Sequence, residues 1–407
     1  MFRPTRILQV AVASLFISGC ASSHSDSGPS AAALAGTTNQ TIVSNDRINS
    51  SRTLSIGKQA PVRGDFLGAD GRLLPEVQAF ARETAQAHAL PLDGVEALLA
   101  EARYDATAAR LMAPPARAGR IRRAWTSYRQ RHVDAVRIRE GVSFWQAHRA
   151  ALDRASARTG VPPSIIVAII GIETVYGRYT GDHRVLDTLA TLGFRYPDPN
   201  RPERQAMFRE QLADLIVLDH RGELDARVVE GSFAGAMGLP QFMPGSLMRY
   251  AADGDGDGRV DLAGNTEDAI ASVAAFLQAH GWVRGVPVFA PVALPADAVR
   301  RAQDGLKPET DWAALRAAGA RALPGGGTAW QAQPLGVIDL RDEIRGTHEV
   351  RCATPNFFAI THYNRSYFYA ASVADLAHEI ADRIGYGDPN RLDGPGARAA
   401  AGRLPRG

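Results

Sequence analysis

The chain has 407 residues, of which 45% are apolar and 22% are charged, and its formal net charge is +3. This length allows a large buried core and predicts two or three subdomains. Arg carries nearly all of the positive charge, since Lys occurs only at positions 58 and 307. The excess is too small for a nucleic-acid-binding surface, so nucleic acid is excluded as a partner.

The first twenty residues have the pattern of a targeting segment. Arg3 and Arg6 precede an apolar run at 7–17, and Ile-Ser-Gly leads into Cys20. This resembles the lipobox of bacterial lipoproteins, so 1–20 is predicted to be a signal peptide that is cleaved before an acylated Cys20. Ala21 favours retention at the periplasmic face of the outer membrane. The alternative is an ordinary secretory signal that contains a Cys.

The remaining chain divides into a tether, two folded parts and a tail. Ser, Ala, Gly and Thr dominate 21–62, which predicts a flexible tether. A helical domain is predicted over 63–285 and 354–387, with a small β-containing subdomain inserted at 286–353. Pro, Gly and Arg dominate 388–407, which predicts a disordered tail. Cys352 has no partner if Cys20 is acylated, so it is expected to be a buried thiol.

Apolar spacing predicts several helices and three short strands. Trp125, Tyr128 and Val136 are expected to point inward from one of these helices. The predicted helices cover 74–90, 91–104, about 118–136, 142–159, 203–219, 268–280, 311–318 and 370–384. The predicted strands cover 286–292, 333–340 and 350–353.

One stretch, 161–177, concentrates apolar residues around a single carboxylate. It reads V-P-P-S-I-I-V-A-I-I-G-I-E-T-V-Y-G, with Ser164 as the expected N-cap and eight uncharged residues before Glu173. Ile166 and Ile170 share a helix face with Glu173, so burial is expected to raise the pKa of this carboxyl. A Glu that is neutral near pH 7 can act as general acid on a glycosidic oxygen. The alternative is a structural carboxylate paired with a buried Arg.

Residues 231–250 interrupt the helical pattern with small residues, aromatic residues and Met. Ser232 and Gln241 are uncharged polar residues in this stretch and are its candidate ligand-binding side chains. Such a segment lets the backbone approach a ligand closely and presents amide and hydroxyl groups from a loop. The alternative is a tightly packed internal turn.

The next segment matches the first half of a calcium-binding EF-hand loop. Asp253, Asp255 and Asp257 occupy positions 1, 3 and 5, and Arg259 offers its carbonyl at position 7. Position 12, usually Glu, is Gly264, so the loop is not a standard one. Because three neighbouring carboxylates repel one another without a cation, the pattern predicts a Ca²⁺ site. A flexible acidic loop is the alternative.

Four segments together resemble the membrane-bound lytic murein transglycosylase B family (glycoside hydrolase family 103). They are I-I-G-I-E-T-V-Y-G at 169–177, S-F-A-G-A-M-G-L-P-Q-F-M-P-G-S at 232–246, the Asp/Gly loop at 253–261, and I-T-H-Y-N-R-S at 360–366. The resemblance extends over about residues 70–385 in the family's order and spacing. It implies a mainly α fold with a small β subdomain (α+β), in which a lysozyme-like catalytic core is flanked by an α domain and a small β domain.

The resemblance also implies a substrate and roles for individual residues. The substrate would be peptidoglycan glycan strands, cut between N-acetylmuramic acid and N-acetylglucosamine, with no organic cofactor. Glu173 matches the family's single catalytic Glu. The substrate-binding matches are Ser232, Gln241, Tyr363 and Asn364, and the calcium matches are Asp253, Asp255, Asp257, the Arg259 carbonyl and Asp268, the last one residue beyond its usual place.

The chemistry of these residues favours a lytic transglycosylase over a hydrolase. A glycosidase that uses water or a covalent intermediate needs a second carboxylate, and the cleft motifs offer no obvious one. Glu173 alone suffices if the 6-hydroxyl of muramic acid is the nucleophile and closes a 1,6-anhydro ring. The alternatives are a hydrolytic muramidase and a non-catalytic peptidoglycan-binding scaffold, and an intact Glu173 argues against the scaffold.

Overall fold

The computed structural model describes residues 66–114, 122–324 and 327–386. As predicted, the fold in this part of the chain is mainly helical with small sheets. Its fourteen α-helices are α1 (Pro75–His88), α2 (Leu92–Ala100), α3 (Ala106–Met112), α4 (Trp125–His132), α5 (Ala135–Ala147), α6 (Arg149–Thr159), α7 (Pro163–Thr174), α8 (Val185–Phe194), α9 (Pro202–His220), α10 (Pro244–Tyr250), α11 (Thr266–Ala279), α12 (Trp312–Ala317), α13 (Pro355–Tyr363) and α14 (Tyr367–Ile384).

The described strands form three antiparallel pairs. The strands are β1 (His183–Arg184), β2 (Glu230–Gly231), β3 (Val292–Ala293), β4 (Arg321–Ala322), β5 (Gly336–Asp342) and β6 (Thr347–Ala353). The longest pair joins the seven-residue strands β5 and β6, with Gly336 opposite Ala353 and Asp342 opposite Thr347. The other two pairs are two-residue ladders, β1 with β2 and β3 with β4.

Helix α7 lies at the centre of the largest apolar core. All twelve of its residues are buried, which explains how a run of β-branched Ile and Val residues remains helical. It packs against α14, α5, α6 and α11. Pro162 and Pro163 define its N-terminus, where a Pro lacks an N–H that would in any case have no helical partner. The sequence prediction of a buried helix carrying Glu173 is confirmed.

Two smaller apolar clusters lie beside this core. One is formed by α1, α2, α8 and α9 around Phe66, Phe194 and Phe208. The other gathers Trp330, Leu335 and Cys352 in the β-containing part. Cys352 is a free, buried thiol as predicted, and burial raises its pKa to about 12. The predicted domain boundaries stay predictions.

Two predicted helices are each interrupted in the structure. The helix expected over about 118–136 ends at His132 among the described residues, and the Asp134 carboxylate caps the next one by accepting the N–H groups of Val136 and Arg137. The helix expected over 142–159 breaks at His148, which leaves helical geometry between α5 and α6. Apolar spacing continued through both breaks, so it did not reveal them.

Three finer predictions are also wrong. Ser164 is not the N-cap of α7: Pro162 holds that position and Ser164 lies fully buried in the first turn. Val136 is exposed, although Trp125 is buried as expected. The strand expected over 286–292 is reduced to an isolated bridge and β3, since the two prolines in this run cannot donate to a ladder.

Several predictions lie outside the described residues: the signal peptide 1–20 with Cys20, the tether 21–62 and the tail 388–407. In the part of the chain that the structure describes, no single helix has the length and apolar composition for a membrane crossing. The bent pair α6 and α7 meets those criteria only when its two helices are taken together, at an angle of 114°.

Candidate active site

Glu173 lies in the last turn of α7 and is almost completely shielded from solvent. Its side chain accepts a hydrogen bond at Oε1 from the hydroxyl of Tyr369, with 2.5 Å between the oxygens. Oε2 is buried and has no hydrogen-bond partner among the described residues. A buried carboxyl with one oxygen unpaired is costly as a carboxylate and is suited to carry a proton.

Burial raises the pKa of Glu173 from 4.5 to about 8. The hydrogen bond from Tyr369 and the positive charge of Arg137 act in the opposite direction, and the desolvation effect exceeds both. Glu173 is therefore mostly protonated at pH 7, as the sequence predicted for a general acid. Among the described residues, no second carboxylate contributes to this pKa.

Three tyrosines surround the carboxyl of Glu173. The rings of Tyr363 and Tyr369 stack with centroids 6.3 Å apart, and both side chains are fully buried. Tyr128 approaches from α4, and its hydroxyl, like those of the other two, has its pKa raised by burial and by the charge of Glu173. These hydroxyls stay protonated and can donate hydrogen bonds at any physiological pH.

Hydrogen bonds hold the segment 231–243 at the C-terminal end of α7. Thr174 donates through Oγ1 to the Leu239 carbonyl at 3.1 Å, and Tyr363 donates to the Pro240 carbonyl at 2.6 Å. Gly231 and Gly181 come so close that a Cβ on Gly181 would lie 2.1 Å from the Gly231 carbonyl oxygen. The loop predicted to approach a ligand is therefore held directly beside Glu173.

The predicted substrate-binding residues occupy different surroundings. Gln241 is buried and uses both hydrogens of its amide on the carbonyls of Thr180 (3.1 Å) and Gly238 (3.0 Å), which leaves its Oε1 as an acceptor. Ser232 is buried in the same loop and accepts the Ala236 N–H. Tyr363 is beside Glu173, as described above.

Asn364 is a predicted substrate-binding residue with no described side-chain contact to Glu173. It is half-buried at the C-terminal end of α13, one residue beyond Tyr363. Its backbone carbonyl accepts the N–H of Ser366. No described hydrogen bond joins its side chain to Glu173 or to the 231–243 segment, so its role stays a prediction.

Sequence reasoning missed Tyr369, Tyr128 and Arg137. Arg137 donates to the Gly171 carbonyl of α7 at 3.0 Å and thereby places a positive charge near Glu173. Tyr369 is 196 positions from Glu173 along the chain, and no local pattern indicates such a contact. The only sequence signal for Tyr369 was local composition, because it ends the aromatic-rich segment that also contains the predicted site residues Tyr363 and Asn364.

The predicted calcium loop brings three carboxylates together. Ligand oxygens of Asp253, Asp255 and Asp268 lie within 4.8 Å of one another. Asp268 is buried and held in place, since its two oxygens accept the N–H groups of Gly254 (2.8 Å) and Asp261 (2.7 Å). Carboxylate oxygens from a loop are the donors that Ca²⁺ prefers, so this set fits the ion.

Two further predicted calcium ligands are not among these three carboxylates. Asp257 is outside the group of three carboxylates and accepts the N–H of Arg259 at 2.8 Å. The Arg259 carbonyl was predicted from its position in the loop. Both stay predictions.

Fold and site together fit a class of enzymes that cleave glycosidic bonds, and the site contains one buried carboxyl, Glu173, whose pKa is raised. The family profile described as "Transglycosylase SLT domain" matches residues 73–378. The chain therefore belongs to the SLT transglycosylase family, and it is a lytic transglycosylase that acts on peptidoglycan.

Three relatives support this assignment. Membrane-bound lytic murein transglycosylase B from Escherichia coli (strain K12) is 35% identical over 323 residues, which is 77% of this chain and 85% of the relative. The structure of SltB1 from Pseudomonas aeruginosa is 37% identical with a TM-score of 0.67, covering 76% of this chain and 100% of that one. Slt35 from Escherichia coli, solved in complex with calcium, is 34% identical with a TM-score of 0.65, covering 78% and 96%.

Proposed function

We propose that Glu173 is the single acid and base that cuts the β-1,4 bond between N-acetylmuramic acid and N-acetylglucosamine. The observation that carries this proposal is the burial of Glu173, which keeps its carboxyl protonated near pH 7 although the hydrogen bond from Tyr369 acts in the opposite direction. Access of the glycan to this carboxyl would be along the 231–243 segment. The product would be a glycan that ends in 1,6-anhydromuramic acid.

The reaction would proceed in two proton transfers with no net change at Glu173. The carboxyl first gives its proton to the glycosidic oxygen, the bond from that oxygen to the anomeric carbon breaks, and N-acetylglucosamine leaves with a free hydroxyl. The 2-acetamido oxygen of muramic acid stabilises the positive anomeric carbon. Glu173, now a carboxylate, takes the proton of the 6-hydroxyl as that oxygen bonds to the anomeric carbon.

The surroundings of Glu173 support this intramolecular route. A hydrolase would need a second carboxylate to activate water or to form a glycosyl-enzyme, and the segments that match the family around Glu173 offer no obvious one. A nucleophile within the substrate needs only to be held close, which gives a large proximity advantage. These points favour the transglycosylase over the muramidase, and the protonated Glu173 disfavours a non-catalytic scaffold.

The neighbouring polar groups would hold the sugars. Gln241 would accept a sugar amide or hydroxyl hydrogen at Oε1, since its amide hydrogens are already used. Ser232 and Asn364 would supply further hydroxyl and amide contacts, as the resemblance implied. Tyr363 is fully buried and would act indirectly, since its hydroxyl fixes the loop at the Pro240 carbonyl.

The loop from Asp253 to Asp268 would hold Ca²⁺ as a structural ion. Asp253, Asp255 and Asp268 supply the central oxygens, with Asp257 and the Arg259 carbonyl completing the predicted set. The calcium complex of Slt35 supports this choice of ion. The ion would neutralise the repulsion within the loop and stabilise the start of α11, which packs against α7.

The mature protein would be a lipoprotein anchored through Cys20 at the periplasmic face of the outer membrane. The lipobox-like sequence supports this, as does the membrane-bound relative. The segment 21–62 would let the enzyme reach the cell wall from its anchor.

Replacing Glu173 by Gln tests the proposal. The amide cannot deliver a proton, so turnover of purified sacculi should fall at least ~10²-fold while the fold persists. Glu379→Gln makes the same chemical change on α14 and should leave turnover unchanged. A folded Glu173→Gln protein with turnover close to that of the wild type would contradict the assignment.

A further inference from the structure

The chain turns sharply just after the helix that carries Glu173. Val175, Tyr176 and Gly177 have φ values of 50°, 59° and 88°, in the left-handed region that favours glycine. Two of these residues are not glycine, and one is β-branched, so the turn is strained. Strain of this kind persists where neighbouring contacts impose it, and it is concentrated at functional sites.

Contacts on both sides fix the segment that follows this turn. The N–H of Tyr179 donates to the Thr174 carbonyl at 3.0 Å, and Arg178 pairs with Glu140 of α5 at 3.1 Å. The carbonyl of Thr180 accepts the amide of Gln241, whose own φ of 53° is again left-handed. Residues 178–181 therefore form a rigid edge that joins the end of α7 to the 231–243 segment beside Glu173.

Tyr179 is the aromatic residue on this edge, and its side chain is 39% exposed. No aromatic ring or guanidinium group of the described residues stacks on it. The backbone on either side is held, so the ring is presented to solvent from a fixed position. Buried tyrosines of the site, such as Tyr363 and Tyr369, have no such free ring surface.

We propose that Tyr179 is a stacking platform for a sugar ring of the glycan strand, next to the two sugars joined by the cleaved bond. Sugar rings present flat C–H surfaces and polar edges, and a half-exposed tyrosine presents an apolar face with a polar tip. This contact adds one subsite along the strand and rests on the proposed function of Glu173. Its ligand class is an N-acetylated hexose within a longer glycan chain.

The test compares three substitutions at Tyr179 on soluble, un-cross-linked glycan strands. Tyr179→Ala and Tyr179→Leu should each raise KM about five- to tenfold with kcat nearly unchanged, because stacking acts in the ground state and the transition state alike. Tyr179→Phe keeps the ring and should retain the wild-type KM. Ile344→Ala, which removes an exposed apolar side chain in the turn between β5 and β6, is the control and should change neither constant.

Two results would overturn the proposal. An unchanged KM in Tyr179→Ala would show that the ring does not contact the strand. A wild-type KM in Tyr179→Leu would show that apolar volume, rather than a flat ring, supports binding. Product mass, measured in the same reactions, tests the proposed function separately, since loss of the stacking contact leaves the chemical identity of the product unchanged.

Discussion

Replacing Glu173 by Gln should stabilise the fold at neutral pH although the same change is expected to remove most of the activity. Burial raises the pKa of Glu173 from 4.5 to about 8, so at pH 7 the folded protein holds a proton that the unfolded chain has released. The contribution of this carboxyl to stability is complete below pH 4.5 and is lost as the pH rises toward about 8. Gln is neutral in the folded and in the unfolded chain, so the stability of the variant does not fall with pH in this way.

The size of the effect at pH 7 follows from how far this pH lies above the ordinary pKa of Glu, because the raised pKa is higher still. From the ordinary value of 4.5 to pH 7 there are about 2.5 pH units, and each is worth about 1.4 kcal/mol. Glu173→Gln should therefore be more stable than the wild type at pH 7 by up to about 3 kcal/mol. The Gln oxygen can still accept the hydrogen bond from Tyr369, so the packing around it is retained.

Urea unfolding of both proteins at a series of pH values from about 4 to about 8 measures this difference directly. The free energies of unfolding should nearly coincide at the acid end and separate progressively toward neutral pH. Glu379→Gln, at an ion pair with Arg383, should show no comparable pH-dependent gain. A difference between Glu173→Gln and the wild type that does not vary with pH would show that Glu173 does not titrate with a raised pKa in the folded protein.

Three further predictions concern the hydrogen bond to Glu173, the calcium loop and the anchor. Tyr369→Phe removes a hydrogen bond that lowers the pKa of Glu173, so the decline of kcat/KM on the alkaline side should move to higher pH in a pH–rate profile. Millimolar Ca²⁺ should raise the melting temperature above its value in EDTA, and Asp268→Asn should reduce that gain. Identical melting curves of the wild type in Ca²⁺ and in EDTA would show that the loop is an acidic turn that binds no calcium. Cys20→Ala should release an active protein from outer-membrane fractions, whereas unchanged fractionation would contradict the lipobox interpretation.

The sequence predicted the helix that carries Glu173 well because a single local property determines it. A run of apolar residues in α7 requires burial on every side, and any carboxylate within that run is buried too. The four matched segments also predicted the fold class and the enzyme family correctly. Each of these features depends on a short, continuous stretch of the chain, so the whole pattern can be read from neighbouring residues.

The features that sequence missed depend on distant parts of the chain meeting. The bond between Tyr369 and Glu173 joins α14 to α7, and the charge of Arg137 reaches Glu173 through the packing of α5. The break at His148 likewise has no clear local signal, because the apolar spacing continues through it. Such contacts are set by tertiary packing, which local propensity does not specify.

The mass of the released muropeptides distinguishes attack by the 6-hydroxyl of muramic acid from attack by water. If the 6-hydroxyl of muramic acid is the nucleophile, digestion of purified sacculi should release products ending in 1,6-anhydromuramic acid, each lighter by one water than the hydrolytic product. These ends should resist borohydride reduction. Products that are mainly reducing, and therefore heavier by one water, would instead identify a hydrolytic muramidase.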